Sequence, residues 1–127
     1  MARILVAEDE EALRGLIRRA LAEAGHTVSV AADGAEALDH LVRHPGDIDL
    51  LLTDIKMPVM DGIALALATA RDQPGLTILL MTGYADQRER ARDLAALIQG
   101  VIAKPFTPAE LCAEVARALA GRRRDLP

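Results

Sequence analysis

Four short apolar runs, each closed by a polar residue and separated by longer stretches of helical periodicity, constrain this chain more than any other feature. Ile4-Leu5-Val6-Ala7 ends in Glu8-Asp9, Leu50-Leu51-Leu52-Thr53 ends in Asp54, Ile78-Leu79-Leu80-Met81 ends in Thr82, and Val101-Ile102-Ala103 ends in Lys104. A strand that is apolar on both faces belongs inside a sheet covered on both sides, and strands alternating with helices run parallel. In such a sheet, ligands bind outside the carboxyl ends of the strands. The residues that close the runs therefore gather at one edge: three carboxylates, a hydroxyl and an ammonium.

The chain reads as five strand–helix units. The first strand covers about 3–7, and a helix follows over 10–24 with Leu13, Leu16, Ile17, Ala20 and Leu21 on one face. Glu10 and Arg14 are spaced for an i,i+4 pair on its outer side, and Gly25 stops it. A second strand over 27–31 turns through Asp33-Gly34 into a helix over 35–44, which Pro45-Gly46 ends. The third strand, 48–53, is the most apolar. After it, Lys56-Met57-Pro58-Val59-Met60-Asp61-Gly62 holds too many helix and strand breakers to continue either element. A helix over 63–72, a strand over 77–82, a polar helix over 86–97 and a short strand over 100–103 complete the pattern. The last helix opens with Thr107-Pro108-Ala109-Glu110, a capping box with proline at the first helical position, and turns Leu111, Val115, Ala118 and Leu119 inward. The expected fold is α/β: a doubly wound, five-stranded parallel sheet with helices on both faces.

No linker divides the 127 residues, which are enough for one domain with a substantial core. We expect that domain over 1–121 and a short basic tail over 122–127. Aromatics make up 2% of the chain, leaving little to stack on bases, and the net charge is −4. Both features argue against nucleic-acid binding. Arg122-Arg123-Arg124 is shorter than a typical basic recognition patch and suits a solvated helix end. Cys112 has no partner for a disulfide or a zinc site, and it borders the inward stripe of the last helix as a small buried residue. The amino terminus lacks the apolar core of a signal peptide, and no apolar stretch is long enough to span a bilayer. The expected setting is the cytoplasm.

Carboxylates with no nearby His or Cys favour a hard cation such as Mg²⁺. His26, His40 and His44 all fall in the second unit, away from the cluster, and read as surface or boundary residues. Three carboxylates at one strand edge repel each other, and Lys104 and a divalent ion would answer that charge. A carboxylate beside a metal can accept a phosphoryl group as an aspartyl phosphate, whose oxygens then need a cation, an ammonium and a hydroxyl around them. Thr82 and Lys104 fit those roles, and Gly83 leaves room for close backbone approach. Acidic residues after a strand also serve simply as helix N-terminal charges, and Glu8, Asp9, Glu10 and Glu11 suit that role too. Asp54 is different, because an unpaired carboxylate ending so apolar a run would be costly.

The stretches Ile4-Leu5-Val6-Ala7-Glu8-Asp9-Glu10, Leu52 to Gly62, Met81-Thr82-Gly83-Tyr84-Ala85 and Ala103-Lys104-Pro105-Phe106 together resemble the receiver domain of bacterial response regulators, with its CheY-like flavodoxin-type fold, over residues 3–120. The resemblance implies that Asp54 takes a phosphoryl group from a histidine kinase or phosphotransfer protein. It implies that Asp9, Asp54 and the backbone carbonyl of Lys56 bind Mg²⁺, with Glu8 acting through water. Thr82 and Gly83 would meet the phosphoryl group, Lys104 would pair with it, and the bond before Pro105 would be cis. Two departures stand out: Glu8 replaces the Asp of many members, and Val101 occupies the position of the usual aromatic switch residue. Tyr84 is the candidate to take over part of that signalling.

Among stand-alone receivers the chain looks most like the CpdR group of alphaproteobacterial cell-cycle regulators. That likeness implies ClpXP-type protease machinery as the downstream partner; with few residues after the last helix, output is expected by protein contact or by passing the phosphoryl group on, from a monomer or weak dimer. It differs in ending Leu126-Pro127 rather than in two alanines. Two alternatives stand beside it: a receiver from a hybrid histidine kinase, which has similar motifs, and an aspartate-nucleophile phosphatase. The phosphatase would carry a second aspartate two residues after the nucleophile, where this chain has Lys56. The expectation is a phosphoacceptor rather than an enzyme.

Overall fold

The computed structural model describes residues 1–83 and 85–124, with side chains described outside 85–88 and 122–124. Tyr84 and the side chains of Arg122, Arg123 and Arg124 therefore lie outside the described residues. The elements are β1 (Arg3–Ala7), α1 (Glu11–Glu23), β2 (Thr27–Ala31), α2 (Gly34–Arg43), β3 (Leu50–Asp54), α3 (Gly62–Asp72), β4 (Thr77–Thr82), α4 (Ala85–Arg92), β5 (Gly100–Ala103) and α5 (Pro108–Arg124). The five strands form one parallel sheet in the order β2-β1-β3-β4-β5. The order reverses between β1 and β3, which opens a crevice at their carboxyl ends.

Side-chain alternation along each strand sends residues to opposite faces. Leu5, Leu51, Ile78 and Leu80 join Leu41 of α2, Leu65 of α3 and Ala91 of α4 in one core. Ile4, Val6, Leu50, Leu52, Leu79 and Met81 join Ile17 and Leu21 of α1 and Leu111 and Val115 of α5 in the other. The central strands β3 and β4 are buried throughout, as wholly apolar runs require.

Helix ends follow local chemistry. Asp33 and Asp61 cap α2 and α3, accepting from the Glu36 and Ala64 N–H groups at 2.8 Å each. The capping box of α5 is complete: Thr107 Oγ accepts from Glu110 N–H at 3.1 Å, and Glu110 Oε1 accepts from Thr107 N–H at 2.8 Å. Gly25 follows α1 with φ of 99°, a left-handed value that suits glycine.

Several expectations are corrected. Leu16 lies on the shoulder of α1 and stays partly exposed, because the sheet is met by the narrower stripe through Ile17 and Leu21. Arg14 donates to the Glu8 carbonyl at 2.9 Å, in place of the expected pairing with Glu10. β3 begins at Leu50, where its registers with β1 and β4 start, and it includes Asp54. α4 ends at Arg92; beyond it, the Leu94, Ala95 and Leu97 N–H groups bond three residues back, tightening the chain into turns. The α5 backbone runs through Arg124, so the three arginines continue the helix.

Candidate metal and phosphoryl-acceptor site

The carboxyl ends of β1, β3, β4 and the residue after β5 meet at the sheet edge. The Glu8 N–H donates to the Ala31 carbonyl at 3.1 Å, continuing the β1–β2 pairing and burying Glu8 almost completely. Asp9, one residue on, is exposed. Asp54 is the last residue of β3 and is 7% exposed; its Oδ1 accepts from the Ile55 N–H at 2.9 Å. Glu8, Asp9 and Asp54 can each offer one oxygen within 4.8 Å of the others.

Lys104 reaches this cluster from the end of β5. Its ammonium lies 2.8 Å from Glu8 Oε1 and 3.0 Å from Asp54 Oδ2. The lysine is placed by its own backbone, whose N–H donates to the Thr82 carbonyl at 2.7 Å, and the following bond to Pro105 is cis. The other Glu8 oxygen accepts from the Glu10 N–H at 3.1 Å. Burial pushes the Glu8 carboxyl above its ordinary range despite the Lys104 and Glu10 bonds, and the charge of Asp54 adds to the shift. Burial alone would lower the Lys104 ammonium, but the hydrogen bonds to Glu8 and Asp54 outweigh it and hold it above its ordinary value.

Thr82 closes β4, one residue beyond the partner of Asp54 in the β3–β4 register. It is fully buried, and among the described residues its hydroxyl is the buried side-chain group with no hydrogen-bond partner. A buried hydroxyl left unpaired is costly and calls for an acceptor that arrives from outside. Gly83 and Lys56 sit with Asp54, Lys104, Pro105 and Phe106 on the wall of an open cleft of about 480 Å³. Val101 is 39% exposed on β5, away from this wall. His26 lies at the opposite end of the sheet, where its Nδ1 accepts from the Ala2 N–H at 3.2 Å, and the rings of His40 and His44 lie 4.9 Å apart, tilted by 47°.

Asp61 and Gly62, to which the sequence assigns no role in the site, also shape it. Asp61 caps α3 and accepts from Arg90 of α4 at 2.8 Å, tying the loop after Asp54 to α4. The signal for the cap was present, an Asp-Gly pair ahead of an apolar run, but the Arg90 contact depends on how α4 packs. Gly62 meets the Asp54 carbonyl so closely that a side chain there would collide with it.

An all-oxygen donor set with a lysine and an orphan hydroxyl beside it fits a hard divalent cation and a phosphoryl group. On this fold it defines a phosphoacceptor signalling domain. Residues 4–116 match the family model of the response regulator receiver domain, and the chain belongs to that family. It is 39% identical over 119 residues to the response regulator receiver protein CpdR of Brucella abortus, covering 94% of this chain and 98% of that protein. It is also 36% identical to the sensor kinase CckA of the same organism over 90% of this chain, which spans 12% of the kinase. Among solved structures, a CheY-like receiver domain protein from Methanospirillum hungatei superposes with a TM-score of 0.88 at 28% identity, covering 99% of each chain. The response regulator TrrA of Thermotoga maritima, solved in complex with Mg²⁺ and BeF, superposes with a TM-score of 0.82 at 32% identity, covering 93% of this chain and 99% of that one. The fold is thus the CheY-like, flavodoxin-type receiver. Among the described residues, no helix is long and apolar enough to cross a membrane.

Proposed function

We propose that the chain is a stand-alone response regulator that accepts a phosphoryl group on Asp54 from a histidine kinase or histidine phosphotransfer protein. The observation that carries this is the Asp54 carboxylate itself. It ends a fully buried strand, lies on the wall of an open cleft, and shares one lysine with Glu8. An Asp54 oxygen forms the new bond to phosphorus while the bond from phosphorus to the donor histidine nitrogen breaks, and the imidazole leaves with that electron pair. Asp9, Asp54 and the Lys56 carbonyl would hold Mg²⁺, with Glu8 reaching it through water. Bound there, the ion would neutralise charge on the transferring oxygens. Lys104 leaves the carboxylate pair to meet the phosphoryl group, and Thr82 gives its unpaired hydroxyl to a phosphoryl oxygen. Gly83 and the turn at Pro105 keep the backbone close.

Acetyl phosphate with Mg²⁺ should phosphorylate wild type and leave Asp54→Ala unmodified by mass spectrometry. Undiminished labelling of the variant would place the acceptor elsewhere. In the same samples, beryllofluoride should shift amide resonances across residues 83–106, and Thr82→Ala should weaken those shifts.

The likeness to CpdR along nearly the whole of both chains supports output through phosphorylation-dependent protein contact. ClpXP-type protease machinery is accordingly the first downstream partner to test. The likeness to a segment of CckA favours a second reading, in which the domain works as the receiver of a hybrid kinase. Phosphorylation-dependent retention of the protease on immobilised receiver would favour the first reading. Phosphoryl exchange with a phosphotransfer protein and no retained partner would favour the second.

A further inference from the structure

We propose that Gly34, at the start of α2, is a positioning residue for the metal site, letting the helix clamp the loop that carries the Lys56 carbonyl. The proposal rests on the magnesium-binding reading given above. The Gly34 N–H donates to the Met60 carbonyl at 3.2 Å across the gap between α2 and the β3–α3 loop. A Cβ on Gly34 would collide with that carbonyl oxygen and lie 3.0 Å from its carbon and 3.1 Å from Met60 Cβ. Two of these obstacles are backbone atoms, which cannot swing aside as a side-chain tip can.

Nothing in α2 itself calls for glycine at this position. Asp33 already caps the helix, and the left-handed glycines of the described chain are Gly25 and Gly46. As the first residue of α2, with φ outside the left-handed region, position 34 could carry alanine as far as the helix itself is concerned. The requirement comes from the loop. Its two ends are fixed, because the Gly62 N–H donates to the Ile55 carbonyl at 2.7 Å. Within it the Met60 N–H turns back to the Pro58 carbonyl at 2.8 Å, around Val59 at φ 68°. If Met60 is pushed away from α2, the displacement must be absorbed between Ile55 and Met60, the stretch that contains Lys56.

The test measures Mg²⁺ affinity by NMR titration and thermal stability in EDTA for wild type, Gly34→Ala and Leu41→Val. Leu41 is buried two turns along the same helix and serves as the stability control. Gly34→Ala should raise the Mg²⁺ dissociation constant about tenfold, as loss of an outer support to a metal site does. Leu41→Val should lower the melting temperature with affinity unchanged. Gly34→Ala binding Mg²⁺ like wild type would overturn the proposal, as would Leu41→Val losing affinity in step with its stability. Should Gly34→Ala not fold, the wild-type Gly34 amide resonance must shift on Mg²⁺ saturation while that of Gly46 stays, and a silent Gly34 would overturn the proposal. Wild type failing to bind Mg²⁺ at all would instead overturn the reading beneath it.

Discussion

The Lys104 ammonium answers two carboxylates at once, and three carboxylates against one ammonium leave the metal-free pocket with a net excess of negative charge. Asp54→Asn removes one of those charges and keeps an oxygen for the Ile55 N–H. In EDTA it should therefore raise stability by about 1 kcal/mol, the scale of like-charge relief in a partly desolvated cluster. Thermal melts in which the Asn variant unfolds clearly below wild type would contradict this picture. Glu8 contributes a pH dependence of definite sign. Its carboxyl is raised above the ordinary 4.5, so the folded protein holds that proton more tightly than the unfolded chain does. The associated stability is present below 4.5 and is lost as pH rises through the higher folded value. Urea unfolding in EDTA across that window should show the decline in wild type, and Glu8→Gln should flatten it; equal slopes would assign the dependence to another group. The sequence named Glu8, Asp9, Asp54, Thr82 and Lys104 because each closes an apolar run. It could not show Lys104 touching Glu8, since β1 and β5 are not neighbours in the sheet and only the folded crossing of chains brings those side chains together.

At the level of elements, the capping box that opens α5 is a wholly local device, with both of its hydrogen bonds made within four residues. Thr107→Ala should destabilise the protein by about 1 kcal/mol, the usual cost of a lost N-cap oxygen. Chemical denaturation showing no change would mean that tertiary packing, rather than the cap, holds the first turn. The strands β1, β2, β4 and β5 likewise fall where their runs of apolar residues put them. Where an element meets longer-range demands, periodicity fails. Ile48 is apolar and buried, yet it lies outside β3, whose pairing with β1 and β4 starts at Leu50. The sequence around Leu94 continues a helical pattern, but the backbone tightens there as Leu94 turns into the core. Leu16 carries the right spacing and the wrong angle, because a helix lying on a sheet buries a narrower stripe than periodicity alone suggests.

For the whole molecule, the sheet is a partition. Ile78 belongs to the core shared with α2, α3 and α4, and Ile17 to the core shared with α1 and α5. Ile78→Val and Ile17→Val should each cost about 1 kcal/mol, and the double variant should cost their sum to within about 0.5 kcal/mol. A coupling energy well above that in denaturation experiments would mean that strain crosses the sheet. The overall architecture was legible from sequence because alternation along buried strands and helical spacing between them admit few layered arrangements. The division has a consequence for descent. Substitutions that reshape the core under α1 and α5 then need no answering change among α2, α3 and α4, so the two faces of one sheet can diverge at different rates. The edge that gathers Glu8, Asp54 and Lys104 has no such freedom, because β1, β3, β4 and the residue after β5 must agree on it together.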